Sequence, residues 1–126
     1  MEELLARVTK VTGLDPETAT RAIGLILGFL KKEGPPQEVS QLLAAMPGAE
    51  EVVAQSGDGG PGGLMGGLMG IGGGVMALGS KLMGAGVSMG QMQPLGRELF
   101  AYGRETAGED VMGPIVGSIP GLSQFV

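Results

Sequence analysis

Apolar residues recur every three or four positions at the start of the chain, which is the spacing of an amphipathic helix. The first apolar stripe consists of Leu4, Leu5, Val8 and Val11. Arg7 and Lys10 fall on the other faces of this helix, and Gly13 is expected to end it. The pattern therefore predicts a short first helix with one buried face.

A second, longer helix is predicted from Asp15 to about Lys32. Asp15-Pro16-Glu17 supplies an N-cap side chain, a proline at the first helical position and an acid in the first turn. Its expected buried stripe is Ala19, Ala22, Ile23, Ile26, Leu27 and Leu30. Gly34 ends this helix, Pro35-Pro36 opens a third, and a short fourth turn follows the Pro47-Gly48 break.

Helical spacing resumes at about Val75 and stops near Gly84 and Gly86. Ser88 is the predicted cap of a long helix that carries Pro94 in its first two turns. A final helix is predicted from about Glu109 to the Pro120-Gly121 break. The apolar pattern thus predicts helices throughout and no strand.

The order of predicted helices occurs twice, with an offset of 73 residues. Under this offset Gly13 falls on Gly86, Asp15 on Ser88, and Met46-Pro47-Gly48 on Ile119-Pro120-Gly121. We interpret the chain as an all-α protein, a small helical bundle of two pseudo-repeated helix-helix-helix units joined by a Gly-rich linker. The predicted units are residues 1–55 and 75–126, packed on each other, and the linker is 56–74.

The middle of the chain, residues 59–80, is free of charge and rich in glycine. Three interpretations remain open. It can be a linker between the units, a glycine zipper for self-association, or a membrane-associated segment over residues 62–79. The repeat assigns the part after Val75 to a helix of the second unit, which favours the linker.

Composition excludes some functions and disfavours others. The formal net charge is −5, and a nucleic-acid-binding protein needs a basic surface, so no nucleic-acid partner is expected. The chain has no Cys and no His, which removes thiolate and imidazole metal ligands and the commonest general base. Its acidic, amphipathic first residues do not resemble a secretory signal, and the expected location is cytoplasmic.

Acid–base and metal chemistry find little material. The pairs Glu50-Glu51 and Glu109-Asp110 are neighbours on predicted helices, so their carboxylates diverge and are expected to be solvated. The spaced methionines are compatible with a soft metal, but core packing or a protein-binding surface is the favoured interpretation. We predict no catalytic residue, metal or cofactor.

Three stretches resemble a known group of proteins. They are GLDPETATRAIGLILGFLK, LLAAMPGAEEVV and, after the glycine-rich middle, LGSKLMGAGVSMGQMQPLGRELFAYGRETAGEDV. Together they make the chain similar to the bacterial VcgC/VcgE-type proteins of unknown function. The resemblance implies an all-helical domain and no particular activity.

The function predicted from these features is a non-catalytic protein that acts through protein contacts, with self-association into a homo-oligomer or binding to another protein. A membrane-associated protein held by residues 62–79 is the alternative. The predicted contact residues are the apolar side chains of the glycine-rich segment and of the end of the sequence. They are Leu64, Met65, Leu68, Met69, Ile71, Leu122 and Phe125.

Overall fold

The computed structural model describes residues 2–55 and 74–119, and every regular element in these two ranges is an α-helix. The helices of the first range are α1 (Glu2–Thr12), α2 (Pro16–Glu33), α3 (Pro36–Ala45) and α4 (Ala49–Gln55). Those of the second range are α5 (Gly74–Ala85), α6 (Met89–Thr106) and α7 (Glu109–Ser118). The predicted all-α fold and helical bundle are confirmed.

The predicted helix starts are confirmed at two caps. The Thr18 backbone N–H donates to Asp15 Oδ2 at 3.2 Å, and Pro16 occupies the first position of α2. Hydrogen bonding from Thr18, first by its side chain and then by this N–H, holds the pKa of Asp15 below its usual value, because it favours the charged carboxylate. At α6, the Ser88 backbone N–H donates to Gln91 Oε1 at 3.0 Å.

Glycines with positive φ end α1 and α5. Gly13 has φ 76° and Gly86 has φ 110°, a region that L side chains rarely adopt. At the end of α5, the Gly86 N–H donates to the Met83 carbonyl at 3.1 Å and the Val87 N–H to the Leu82 carbonyl at 2.9 Å. This pair of bonds is a Schellman motif, and it turns the chain directly into α6.

Helix α2 is the centre of the bundle. All residues from Ala22 to Leu30 are buried, although the sequence predicted only one buried stripe on this helix. The predicted buried stripe was therefore too narrow. Helix α2 is covered on more than one side, because it packs against α1, α3, α4 and α5. Leu25 and Phe29, outside the predicted stripe, are only 9% and 8% exposed.

The helices before residue 56 pack largely against those after residue 73. Helix α1 lies along α6, α2 contacts α5, and α3 contacts α7. The buried apolar residues of both ranges form one continuous core. At Gly103 in α6 the packing is so close that a Cβ atom would lie 2.8 Å from Met112 Sδ and 3.1 Å from Leu42 Cδ1.

Candidate protein-contact surface

The contact residues predicted from the sequence lie outside the described residues. They are Leu64, Met65, Leu68, Met69, Ile71, Leu122 and Phe125. The same is true of the predicted linker up to residue 73, and the prediction for these positions stays a prediction. The one linker residue within the described ranges, Gly74, begins α5.

The alternative membrane segment, residues 62–79, overlaps the described structure only in α5. Within this overlap Leu78 is 3% exposed and belongs to the core of the bundle. Among the helices of residues 2–55 and 74–119, none is long and apolar enough to cross a bilayer.

Three large apolar side chains in the described ranges are exposed to solvent. Val11 at the end of α1 is 46% exposed, Met83 near the end of α5 is 56% exposed, and Met89 at the start of α6 is 73% exposed. Val11 was predicted to belong to the buried stripe of α1, and this was wrong. We call these three residues the end surface.

The end surface lies at the end of the bundle where the α1–α2 turn meets the α5–α6 turn. The Gln91 side-chain amide, near the start of α6, donates to the Thr12 carbonyl at the end of α1 at 2.9 Å. Next to this contact, a Cβ atom on Gly86 would lie 3.5 Å from Thr18 Cγ2. The α1–α2 and α5–α6 turns are therefore neighbours, and Val11, Met83 and Met89 lie at or near these turns.

Val11 is exposed because α6 leaves space beside it. A surface hollow of 270 Å³ lies beside this residue, and it is lined by Val11, Gln93, Pro94, Arg97 and Glu98. Val11 and Pro94 make part of the lining apolar. The hollow therefore adds a recess to the end surface.

One charged group joins α1 to α6. Arg7 Nε lies 3.0 Å from Glu98 Oε1, and Arg7 Nη2 lies 2.8 Å from Glu105 Oε2. The Arg7 guanidinium carbon also lies 5.6 Å from the centre of the Tyr102 ring, within the range of a cation–π contact. The hydrogen bond from Arg7 lowers the pKa of Glu105 and raises that of Arg7.

These charged groups pair with one another, which suits a joint between helices. The sequence placed Arg7 away from the buried stripe of α1, whereas its side chain is only 29% exposed and bonded to the other half of the chain. Glu109 and Asp110 lie in the first turn of α7 as predicted. Across the described ranges, no group of three or more acidic, His or Cys residues could hold a metal ion.

The sequence pattern predicted no contact role for Val11, and it left Met83 and Met89 among the spaced methionines, for which either core packing or a protein-binding surface is predicted. The spacing of Val11 and Met83 fits an apolar helix face, and a helical period cannot tell which end of a stripe lacks a neighbour. Met89 carried a clearer signal. It directly follows the predicted cap Ser88, so it lies in the first turn of a helix, beside a tight turn.

No protein family, curated protein or solved structure matches the chain.

Proposed function

We propose that this is a non-catalytic helical protein that acts through protein contacts, and that its main contact is with a second copy of itself. The observation that carries the proposal is the end surface. Large exposed apolar side chains lose water contact on association, which supplies about 25 cal/mol per Å² of apolar area buried. Methionine suits such a contact because its side chain adapts to the shape of a partner.

We also infer that the bundle consists of two pseudo-repeated units joined by the Gly-rich linker. Helices α2 (Pro16–Glu33) and α6 (Met89–Thr106) have the same length and an offset of 73 residues, and α3 (Pro36–Ala45) and α7 (Glu109–Ser118) repeat this offset. The caps agree as well, with ψ 158° at Asp15 and 163° at Ser88. These correspondences support a repeat in which equivalent helices play equivalent roles.

The test of self-association is light scattering over a range of protein concentrations. The unmodified protein is expected to gain mass above the 12.7 kDa of one chain as its concentration rises. The double variant M83Q/M89Q should require a higher concentration for the same gain, because glutamine keeps the side-chain length and removes the apolar contact.

The matched control is A6Q/A44Q, which adds two glutamines at exposed positions of α1 and α3 outside the end surface. It should behave as the unmodified protein does. A protein that keeps the mass of one chain at every concentration would contradict self-association. Equal effects of the two double variants would show that the end surface is not the contact.

A further inference from the structure

The first half of the chain (α1–α4) and the second half (α5–α7) pack against each other through several helix pairs. Pairing of α1 with α6, of α2 with α5 and of α3 with α7 joins residues before 56 to residues after 73 in every case. Within the second half, α5 and α6 meet less extensively than α5 and α2. The core residues Leu82, Leu95 and Ile115 of the second half are each at most 1% exposed and belong to the core that both halves share.

We propose that the face each half presents to the other is also a binding surface for a second copy of the chain, through exchange of halves. In the exchanged dimer, α1–α4 of each copy pair with α5–α7 of the other. This inference rests on the proposed self-association, and it identifies a second interface, distinct from the end surface.

Exchange preserves the specific contacts between the halves. The ion pairs of Arg7 with Glu98 and Glu105, and the hydrogen bond from Gln91 to Thr12, would form between two chains with the same partners. None of these groups belongs to residues 56–73, which connect the halves in the sequence. Domain swapping needs little new interface for this reason.

Concentration decides between the closed chain and the exchanged dimer. Covalent linkage raises the effective concentration of each half for the other half of the same chain, and for short flexible linkers this concentration is of the order of millimolar. The closed chain is therefore expected to predominate in dilute solution. Exchanged dimers should accumulate as the protein concentration approaches the millimolar range.

Reversed charges at the α1–α6 contact test the exchange. The variant R7E places a carboxylate against Glu98 and Glu105, and the variant E98R/E105R places two guanidinium groups against Arg7. Each variant alone has like charges between its halves. A dimer that exchanges halves between the two variants has two α1–α6 contacts. In one, the carboxylate of R7E faces the guanidinium groups of E98R/E105R, so the charges are reversed but complementary. In the other, the original Arg7 faces the original Glu98 and Glu105.

The two variants are mixed at high concentration, and dimers are counted by native mass spectrometry. The expected result is that mixed dimers exceed the share expected from random pairing of the two variants. This excess shrinks in high salt, because charge contacts are screened. The control mixture is R21E with E109R/D110R, which makes the same changes of charge at exposed positions outside the end surface and the α1–α6 contact. It should give no gain.

The possible results separate the two proposals. Dimers without a gain of the mixed form would overturn the exchange of halves and leave self-association through the end surface in place. A gain of the mixed form would support exchange. If the M83Q/M89Q variant also gained mass at the same concentrations as the unmodified protein, the end surface would be overturned as a contact. Absence of any dimer at high concentration would overturn both. Circular dichroism of each variant at low concentration verifies that it is folded.

Discussion

Gln91 donates its side-chain amide to the backbone carbonyl of Thr12 at 2.9 Å, across 79 positions of sequence. The acceptor is one of the last carbonyls of α1, which has no partner within its own helix. The same Gln91 side chain accepts the backbone N–H of Ser88 through its oxygen. One glutamine side chain therefore hydrogen-bonds to the C-terminal end of α1 and to the N-terminal end of α6.

Replacing Gln91 with alanine should reduce the free energy of unfolding by about 1 kcal/mol for each hydrogen bond removed. Urea denaturation measures this loss. The matched control is Gln93→Ala, an exposed glutamine two positions further along α6, which should change the unfolding free energy very little. Equal losses in the two variants would contradict a joining role for Gln91.

Acidification should weaken the contact between α1 and α6. The pKa of Glu105 is lowered in the folded state by its hydrogen bond to Arg7. The stability that this bond contributes is therefore present above the unfolded pKa, about 4.3 for glutamate, and is lost as the pH falls through the lower folded value.

The measurement is the urea midpoint from neutral pH down to about pH 3, the range in which glutamates titrate. The variant R7M should show a smaller fall than the unmodified protein, because its Glu105 has no guanidinium to lose. The variant R97M removes an exposed arginine of α6 instead and should keep the original fall. An unchanged pH profile in R7M would refute the role of this ion pair.

Gly103→Ala should destabilise the bundle, because the cost of overpacking a core, about 1–3 kcal/mol, outweighs the gain in helix propensity of up to about 1 kcal/mol. The added Cβ would lie 2.8 Å from Met112 Sδ and 3.1 Å from Leu42 Cδ1. The matched variant Gly79→Ala lies in α5 with open space around it. It should gain up to about 1 kcal/mol from helix propensity. Urea denaturation of both variants tests the difference, and a loss in both would contradict this account of Gly103.

Alanine at Gly13 or at Gly86 should cost about 1–2 kcal/mol, since both glycines have positive φ. The pseudo-repeat predicts that the two losses are of similar size, because the two positions are equivalent under the 73-residue offset. Gly90→Ala is the control, in a helix with open space around it. Thermal or urea unfolding gives the comparison, and a loss confined to one turn would argue against equivalent roles.

Local signals were the most reliable guide to the fold. Asp15 was predicted as a cap, and it accepts the hydrogen bond of a cap. Gly13 and Gly86 were predicted to end helices, and both have the left-handed backbone that suits this role. These outcomes depend on a few neighbouring residues, and so they can be predicted from a short stretch of sequence.

Predictions that required knowledge of a neighbouring helix were less successful. Val11 has the spacing of a buried residue, but the hollow beside Pro94 leaves it 46% exposed. Leu25 lies outside the predicted stripe of α2, but it is 9% exposed. In both cases the apolar pattern was correct about the helix and could not specify what packs against it.

The helical class of this protein and the starts and turns of its helices follow from short stretches of sequence, because caps, prolines and positive-φ glycines act within a few residues. Which helix faces meet depends on packing between distant parts of the chain. Arg7 and Glu98 are 91 positions apart, and no local preference brings them together. Burial of the shared core does so, and the same packing leaves Met83 and Met89 exposed beside the α5–α6 turn.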